Sequence, residues 1–265
     1  MSINRFLFGV LLCFSSGPVW SAGPLHQQID QQIESRAGGQ IADLASDAEF
    51  LRRVSLDLNG IVPTADEVRT FLSDQDSQKR AKLIDRLLTA PEYARRMREA
   101  FSVMLLERRK GTTVSAEDWN RFLELSFSQN QSWAEVVRAL LQADAANDET
   151  YGSVKFFVDG GRADHDQMTQ DVARLFLGMN IHCAQCHDHP TVDQFKQIDY
   201  VGLMAYLNQS VSAQHSGLQR TFLVENVAKA KVEFESVFDV GNKQQTGPRL
   251  PGRDEIEIPV YEQGQ

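Results

Sequence analysis

The sequence predicts a mainly α fold, a multi-helix bundle-like domain followed by a smaller β-rich C-terminal annex. Apolar residues recur at helical spacing through successive segments between residues 47 and 207, several opened by a capping residue. Gly60, Pro63 and Pro91 punctuate those segments as helix boundaries do. Beyond Ser210 the period changes to an alternation of apolar and polar residues, which is the pattern of strands.

Residues 24–38 read as a polar helix that ends at Gly38 and Gly39. Phe50, Leu51, Val54 and Leu58 share one face of the next helix, with Gly60 in the C-cap place. Thr64 caps a helix with Asp66 and Glu67 in its first turn and Val68, Phe71 and Leu72 inward. Asp76 or Ser77 opens another, with Leu83, Ile84, Leu87 and Leu88 inward. Pro91 suits a first helical position, and that helix is expected to run to about Arg109. Its cations, Arg95, Arg96, Arg98, Arg108, Arg109 and Lys110, read either as a solvated face or as a dock for carboxylates, those of a cofactor or of an acidic partner.

Trp119, Phe122, Leu123 and Phe127 mark a further helix, and Ser132 caps one carrying Val136, Val137, Leu140 and Leu141. Trp119 and Trp133 are core residues by spacing, with packing against a flat ring cofactor as the other use. Residues 143–150 form a polar hinge, and residues 154–158 (VKFFV) a short extended piece. Asp164 then caps a helix with Met168, Val172, Leu175, Phe176 and Met179 along one stripe. Asp199 caps the last helix, which holds Tyr200, Leu203, Met204, Tyr206 and Leu207. Strands are expected at residues 222–224, 231–235 and 256–258. The count comes to about seven to nine helices.

Four regions follow: a signal peptide at 1–21, a polar lead-in at 22–44, a helical domain at 45–210, and a β-rich tail or linker at 211–265. At 265 residues, 42% hydrophobic and 24% charged, the composition is that of a globular chain. A formal net charge of −9 excludes a basic nucleic-acid binder and an anchor for anionic lipid.

Arg5 precedes an apolar run at residues 6–14 (FLFGVLLCF), and Val19-Trp20-Ser21 offers small residues at the positions before a cut after Ser21. The run is too short to cross a hydrocarbon layer of ~30 Å. The chain is therefore expected to be exported, to the periplasm or cell surface of a bacterium, with no transmembrane span. Cys13 is a bystander within the signal, because Leu11 and Leu12 stand where a lipoprotein needs small residues.

The two cysteines beyond the signal lie together in Cys183-Ala184-Gln185-Cys186-His187, followed by Asp188, His189 and Pro190. This is the spacing for covalent attachment of haem c. Each thiol can form a thioether to a vinyl group, and His187 falls beside the iron as its proximal ligand. With three Cys and six His in the chain, chance occurrence is on the order of one in a thousand.

Three blocks carry a family resemblance: Arg52-Arg53-Val54-Ser55-Leu56-Asp57-Leu58-Asn59-Gly60 with Pro63-Thr64; Phe176-Leu177-Gly178 leading into 183–190; and Asp199-Tyr200 with Gly202-Leu203 and Ala205. Together they resemble the DUF1549 (PSCyt2) domain of planctomycete-type surface cytochrome-like proteins, over about residues 45 to 210. The resemblance implies a second, DUF1553-type domain after this one. Residues 246–252 (TGPRLPG) resemble the linker to it, after which this sequence stops. Members commonly carry an aromatic directly after His-Pro; here Thr191 stands there, with Phe195 as the available substitute.

The main expectation is an exported haem-bearing module for electron transfer or redox support, with a redox partner protein or a DUF1553-type domain as partner. His189 is a second-sphere neighbour in that reading. The sixth iron ligand is open among His165, His215, Met168, Met179 and Met204, since His182 and His189 lie too close to His187 to reach the opposite face. The alternative is Zn²⁺ in a structural site of Cys183, Cys186, His187 and His189, with His182 able to replace one. A hydrolase has less to stand on. Asp188 beside two histidines is a conceivable base, but no nucleophile elbow, phosphate loop or HExxH is present.

Overall fold

The computed structural model describes residues 23–39, 42–109, 111–142, 146–160, 165–215, 217–225 and 231–257. The expected signal peptide, Lys110 and the capping Asp164 lie outside them. The chain divides into two compact units, residues 1–46 and 47–265. In the first, α1 (Leu25–Arg36) is the polar helix expected there, with Leu25, Ile29 and Ile33 spaced four apart.

The second unit opens with α2 (Asp47–Asn59), α3 (Ala65–Ser73) and α4 (Lys79–Leu88). Their apolar stripes meet in a local core of Leu51, Phe71, Leu83 and Leu87, flanked by Phe50, Val54, Leu58 and Val68. Gly60 closes α2 at φ +74°, a left-handed conformation open to glycine at no steric cost. Thr64 and Glu67 form a reciprocal capping box on α3. Asp47 accepts ion pairs from Lys79 and Arg80, both at 2.7 Å, tying the first turn of α2 to that of α4.

Next come α5 (Pro91–Leu106), α6 (Ala116–Ser128), α7 (Trp133–Gln142), α8 (His165–Phe176) and α9 (Gln197–Leu207). They enclose the main core, which includes Leu105, Trp119, Phe122, Leu123, Leu140, Phe156, Met168, Ile181, Ala184 and Tyr200. Burying each large side chain of this kind contributes about 1.5–3 kcal/mol before entropy is counted. Trp119 donates its ring N–H to Ser102 at 2.9 Å, and Trp133 packs against Phe101 and Phe176. Trp119 thus belongs to the protein interior, while Trp133, 40% exposed, covers Phe101 and Phe176 from the surface.

Several expectations are corrected. Helix α5 ends at Leu106 and not at Arg109, because Glu107 and Arg108 turn left-handed at φ 49° and 59°. That turn lets Arg109 reach back to the buried Asp171 and to the Gly160 carbonyl. Residues 154–158 are not extended: a 3₁₀ turn (Tyr151–Ser153) runs into a π-helical turn (Phe156–Gly160). Helical spacing there brings Lys155 onto Asp159 at 2.8 Å, both buried. A strand would have sent that pair apart.

Helix α9 begins at Gln197, two residues before the expected cap. Asp199 instead lies buried in its first turn, 3.5 Å from the Arg249 guanidinium.

The annex holds two antiparallel ribbons, β1 (Ser210–His215) with β2 (Arg220–Glu225), and β3 (Val232–Phe234) with β4 (Gln244–Thr246). Residues 256–257 form no strand, and Ile258 lies outside the described residues. Phe222 and Leu223 of β2 pack on a small core of Val114, Tyr151 and Val154. Val232 and Phe234 of β3 pack on the main core. The chain then returns to α9, where the Arg249 N–H donates to the Gly202 carbonyl at 3.2 Å. No helix among the described residues is long and apolar enough to cross a membrane.

Candidate functional site

Helix α8 stops at Gly178, left-handed at φ +66°, and the Met179 N–H turns back to the Ala173 carbonyl at 2.9 Å. The chain then enters a single 3₁₀ turn, His182–Gln185, that carries Cys183 and is capped by Cys186. Three residues per turn places i and i+3 above one another. Ile181 and Ala184 therefore both point into the core, while Cys183 and Cys186 both face solvent as free thiols. One period anchors the motif on one side and presents two thiols on the other.

His187 follows with its ring turned onto the backbone. Its Nδ1 lies 2.6 Å from the Asp188 carbonyl oxygen. A carbonyl only accepts, so Nδ1 carries the proton and Nε2 keeps its lone pair, the arrangement of a metal-ligating histidine. On its other side the ring meets Phe238 of the annex, with centroids 4.9 Å apart.

The neighbouring groups have other work. Asp188 accepts from the Gln197 N–H at 2.9 Å and pairs with Lys196 at 3.1 Å, so it caps α9. The Gln197 amide, with Lys196 beside it, holds the Asp188 carboxyl below the usual range, which makes it a poor base near neutral pH.

His189 closes the turn after the motif. Its Nδ1 accepts from the Thr191 and Val192 amides at 3.2 and 3.0 Å, which puts its own proton on Nε2. Ligation through Nε2 would then demand an imidazolate. Phe195 packs edge-on against the His189 ring at 5.7 Å.

The fit to each group can be weighed on these contacts. A covalent haem asks the protein for two accessible thiols on one side and one imidazole lone pair, and Cys183, Cys186 and His187 offer that set. Zinc asks four ligands to converge. Among the described residues no group of three or more His, Cys, Asp or Glu is gathered to hold a metal ion, so neither the set Cys183, Cys186 and His187 nor that set with His189 stands preassembled.

A cleft of about 420 Å³ lies beside His187, lined by Lys196, Gln197, Ile198, Phe234 and Phe238 among others. No Met or second His is among its described lining residues. Met168 is buried, and Met179 and Met204 pack against the main core, so all three serve as packing groups. His182 is exposed at the start of the 3₁₀ turn, His165 opens α8, and His215 ends β1. Three of the cations expected on that helix have acidic partners: Arg95 pairs with Glu92, Arg98 with Glu124, and Arg109, beyond the end of α5, with Asp171.

Sequence reasoning missed Gln197, Val237 and Phe238. Gln197 donates through Nε2 to the carbonyls of Gln185, at 3.3 Å, and Glu235, at 3.1 Å. The Val237 N–H donates to the Cys186 carbonyl at 3.1 Å. The available signal was Val237, Phe238 and Val240, three apolar residues within four positions of a polar stretch of the tail.

No curated protein and no solved structure matches the chain. The PSCyt2 family, described as a protein of unknown function (DUF1549), matches residues 24–212, taking in α1 through the last turn of α9 and the start of β1. The chain belongs to the PSCyt2 (DUF1549) family.

Proposed function

We propose that the chain is an exported c-type haem-bearing module that carries electrons, or supports a redox reaction, within a larger periplasmic or surface system. The observation that carries this reading is the His187 contact: Nδ1 lies 2.6 Å from the Asp188 carbonyl oxygen, which accepts the hydrogen bond of that nitrogen and leaves Nε2 for a ligand, in a motif whose two thiols are exposed. Cys183 and Cys186 would hold the haem through thioethers and His187 would be its axial ligand. Bound there, a haem would supply one-electron chemistry at iron, with a potential set by ligand, burial and hydrogen bonding.

The chain's own residues do the rest. The Asp188 carbonyl keeps the His187 proton on Nδ1, Asp188 and Gln197 hold the motif to α9, and Ile181 and Ala184 fasten it to the core. A redox partner protein or a DUF1553-type domain is the proposed partner.

The test is expression of the chain with the c-type maturation machinery, followed by haem staining of a denaturing gel and elemental analysis. Covalent haem in the wild type, lost in Cys186→Ala, is the expected result. An unstained wild type that carries one equivalent of zinc would replace the haem reading with the structural-metal one.

A further inference from the structure

The turn at residues 235–241 lies outside the 24–212 family match, yet it closes over the motif. It is a built element. Strands β3 and β4 shut its base in the register Phe234↔Gln244, and Phe234 sits on the main core. Within it the Asp239 N–H donates to the Ser236 carbonyl at 3.0 Å, and the Gly241 N–H to the Glu235 carboxylate at 3.2 Å.

Three contacts join this turn to the CxxCH: Val237 N–H on the Cys186 carbonyl, the Gln197 bridge from Glu235 to Gln185, and the Phe238 ring on His187. The turn also keeps Val237, Phe238 and Val240 at 56%, 80% and 78% exposure. Lone exposed apolar side chains are ordinary, but three within four residues beside a free imidazole make a patch that wants a cover.

We infer that this turn is part of the cofactor site: Phe238 is a positioning residue that fixes the His187 ring, and the Val237–Val240 patch is the apolar wall that an attached porphyrin covers. The inference rests on the haem reading for its occupant. Among the described residues the imidazole is otherwise held by the Asp188 carbonyl on one nitrogen, a contact about which the ring can tilt. A ring packed against it at 49° restricts that freedom, and groups that orient a metal-ligating histidine set ligand strength and potential. The same patch keeps water from one side of the site, which bears on potential as well.

The experiment compares the full chain as wild type, Phe238→Ala and Phe238→Tyr; Phe238 is largely exposed, so its truncation spares the fold. In the haem-free form, NMR of the His187 ring protons reads the ring current of Phe238. The expected result is loss of that displacement in Phe238→Ala and its retention in Phe238→Tyr.

In the haem-loaded form, equal staining of all three with a midpoint potential that moves in Phe238→Ala and returns in Phe238→Tyr is expected. An unmoved His187 ring, or a potential unchanged in Phe238→Ala, overturns the inference. A wild type that takes no haem sinks the haem reading and the porphyrin as cover, while the haem-free comparison still decides whether Phe238 positions His187.

Discussion

The ammonium of Lys155 lies 2.8 Å from the carboxylate of Asp159, with both side chains buried one helical turn apart. All three of its protons have acceptors: the Asp159 carboxylate and the carbonyls of Gly111 and Val114, at 2.8 and 2.6 Å. Asp159 in turn accepts the Thr113 and Val114 amides, each at 3.1 Å. The pair thus stitches the loop after α5 to the π-helical turn. Lys155→Met leaves a buried carboxylate without its countercharge, and about 3–5 kcal/mol of stability should be lost. Urea unfolding of the variant against the wild type measures it. A loss under ~1 kcal/mol would mean that solvent reaches the pair.

The same pair predicts an acid response. Burial pushes the Asp159 carboxyl up, but Lys155 and the amides of Val114 and Thr113 outweigh it and hold the group below its ordinary value of 3.8. A carboxyl depressed in the folded state contributes stability that is fully present above the unfolded value and lost as pH falls through the folded one. Unfolding free energy should therefore drop as pH falls below about 4. The double variant Lys155→Met with Asp159→Leu should show a shallower fall over the same window. Parallel curves for the two proteins would remove Asp159 from the acid response.

Gly202 makes a different prediction, about how the annex is held. A Cβ there would fall 2.0 Å from Cγ of Arg249, near the root of that side chain, where little can give. Alanine in the middle of α9 gains about 1 kcal/mol in helix propensity, while overpacking costs about 1–3 kcal/mol. The clash should win. Gly202→Ala is expected to lower stability and to speed hydrogen exchange at the Arg249 amide, whose bond to the Gly202 carbonyl runs through the same contact. Unchanged exchange would show that Arg249 moves aside freely.

Much of this molecule was legible as sequence because its signals are local. Thr64 with Glu67 and Ser132 with Glu135 stand three apart, as capping boxes must, and each closes in the structure. The CxxCH spacing likewise announced two thiols on one side of a turn. The misreading of residues 154–158 has a physical cause: a short apolar run fits a buried strand and a buried helical turn equally well. The arbiter was Lys155 and Asp159 at i and i+4, charges that only a helical spacing can bring together. Phe238 was out of reach, since its meeting with His187 depends on the closure of β3 on β4 and on no local pattern.

His189 offers the sharpest separation of haem from zinc. Its Nδ1 accepts two backbone amides, which makes the residue a turn cap. An Asn side chain can do the same, because its carbonyl oxygen accepts from amides two and three residues on, as in an Asx turn. His189→Asn should accordingly keep covalent haem and near wild-type stability. His189→Ala should still take up haem but lose about 1–2 kcal/mol, since two amides are left without their acceptor. His187→Ala should behave differently from both, keeping the turn while losing the axial ligand, which a pyridine-free absorption spectrum of the loaded protein reads directly. If His189→Asn instead abolishes bound metal while the fold survives, His189 is a ligand, and the four-coordinate zinc site takes the place of the haem.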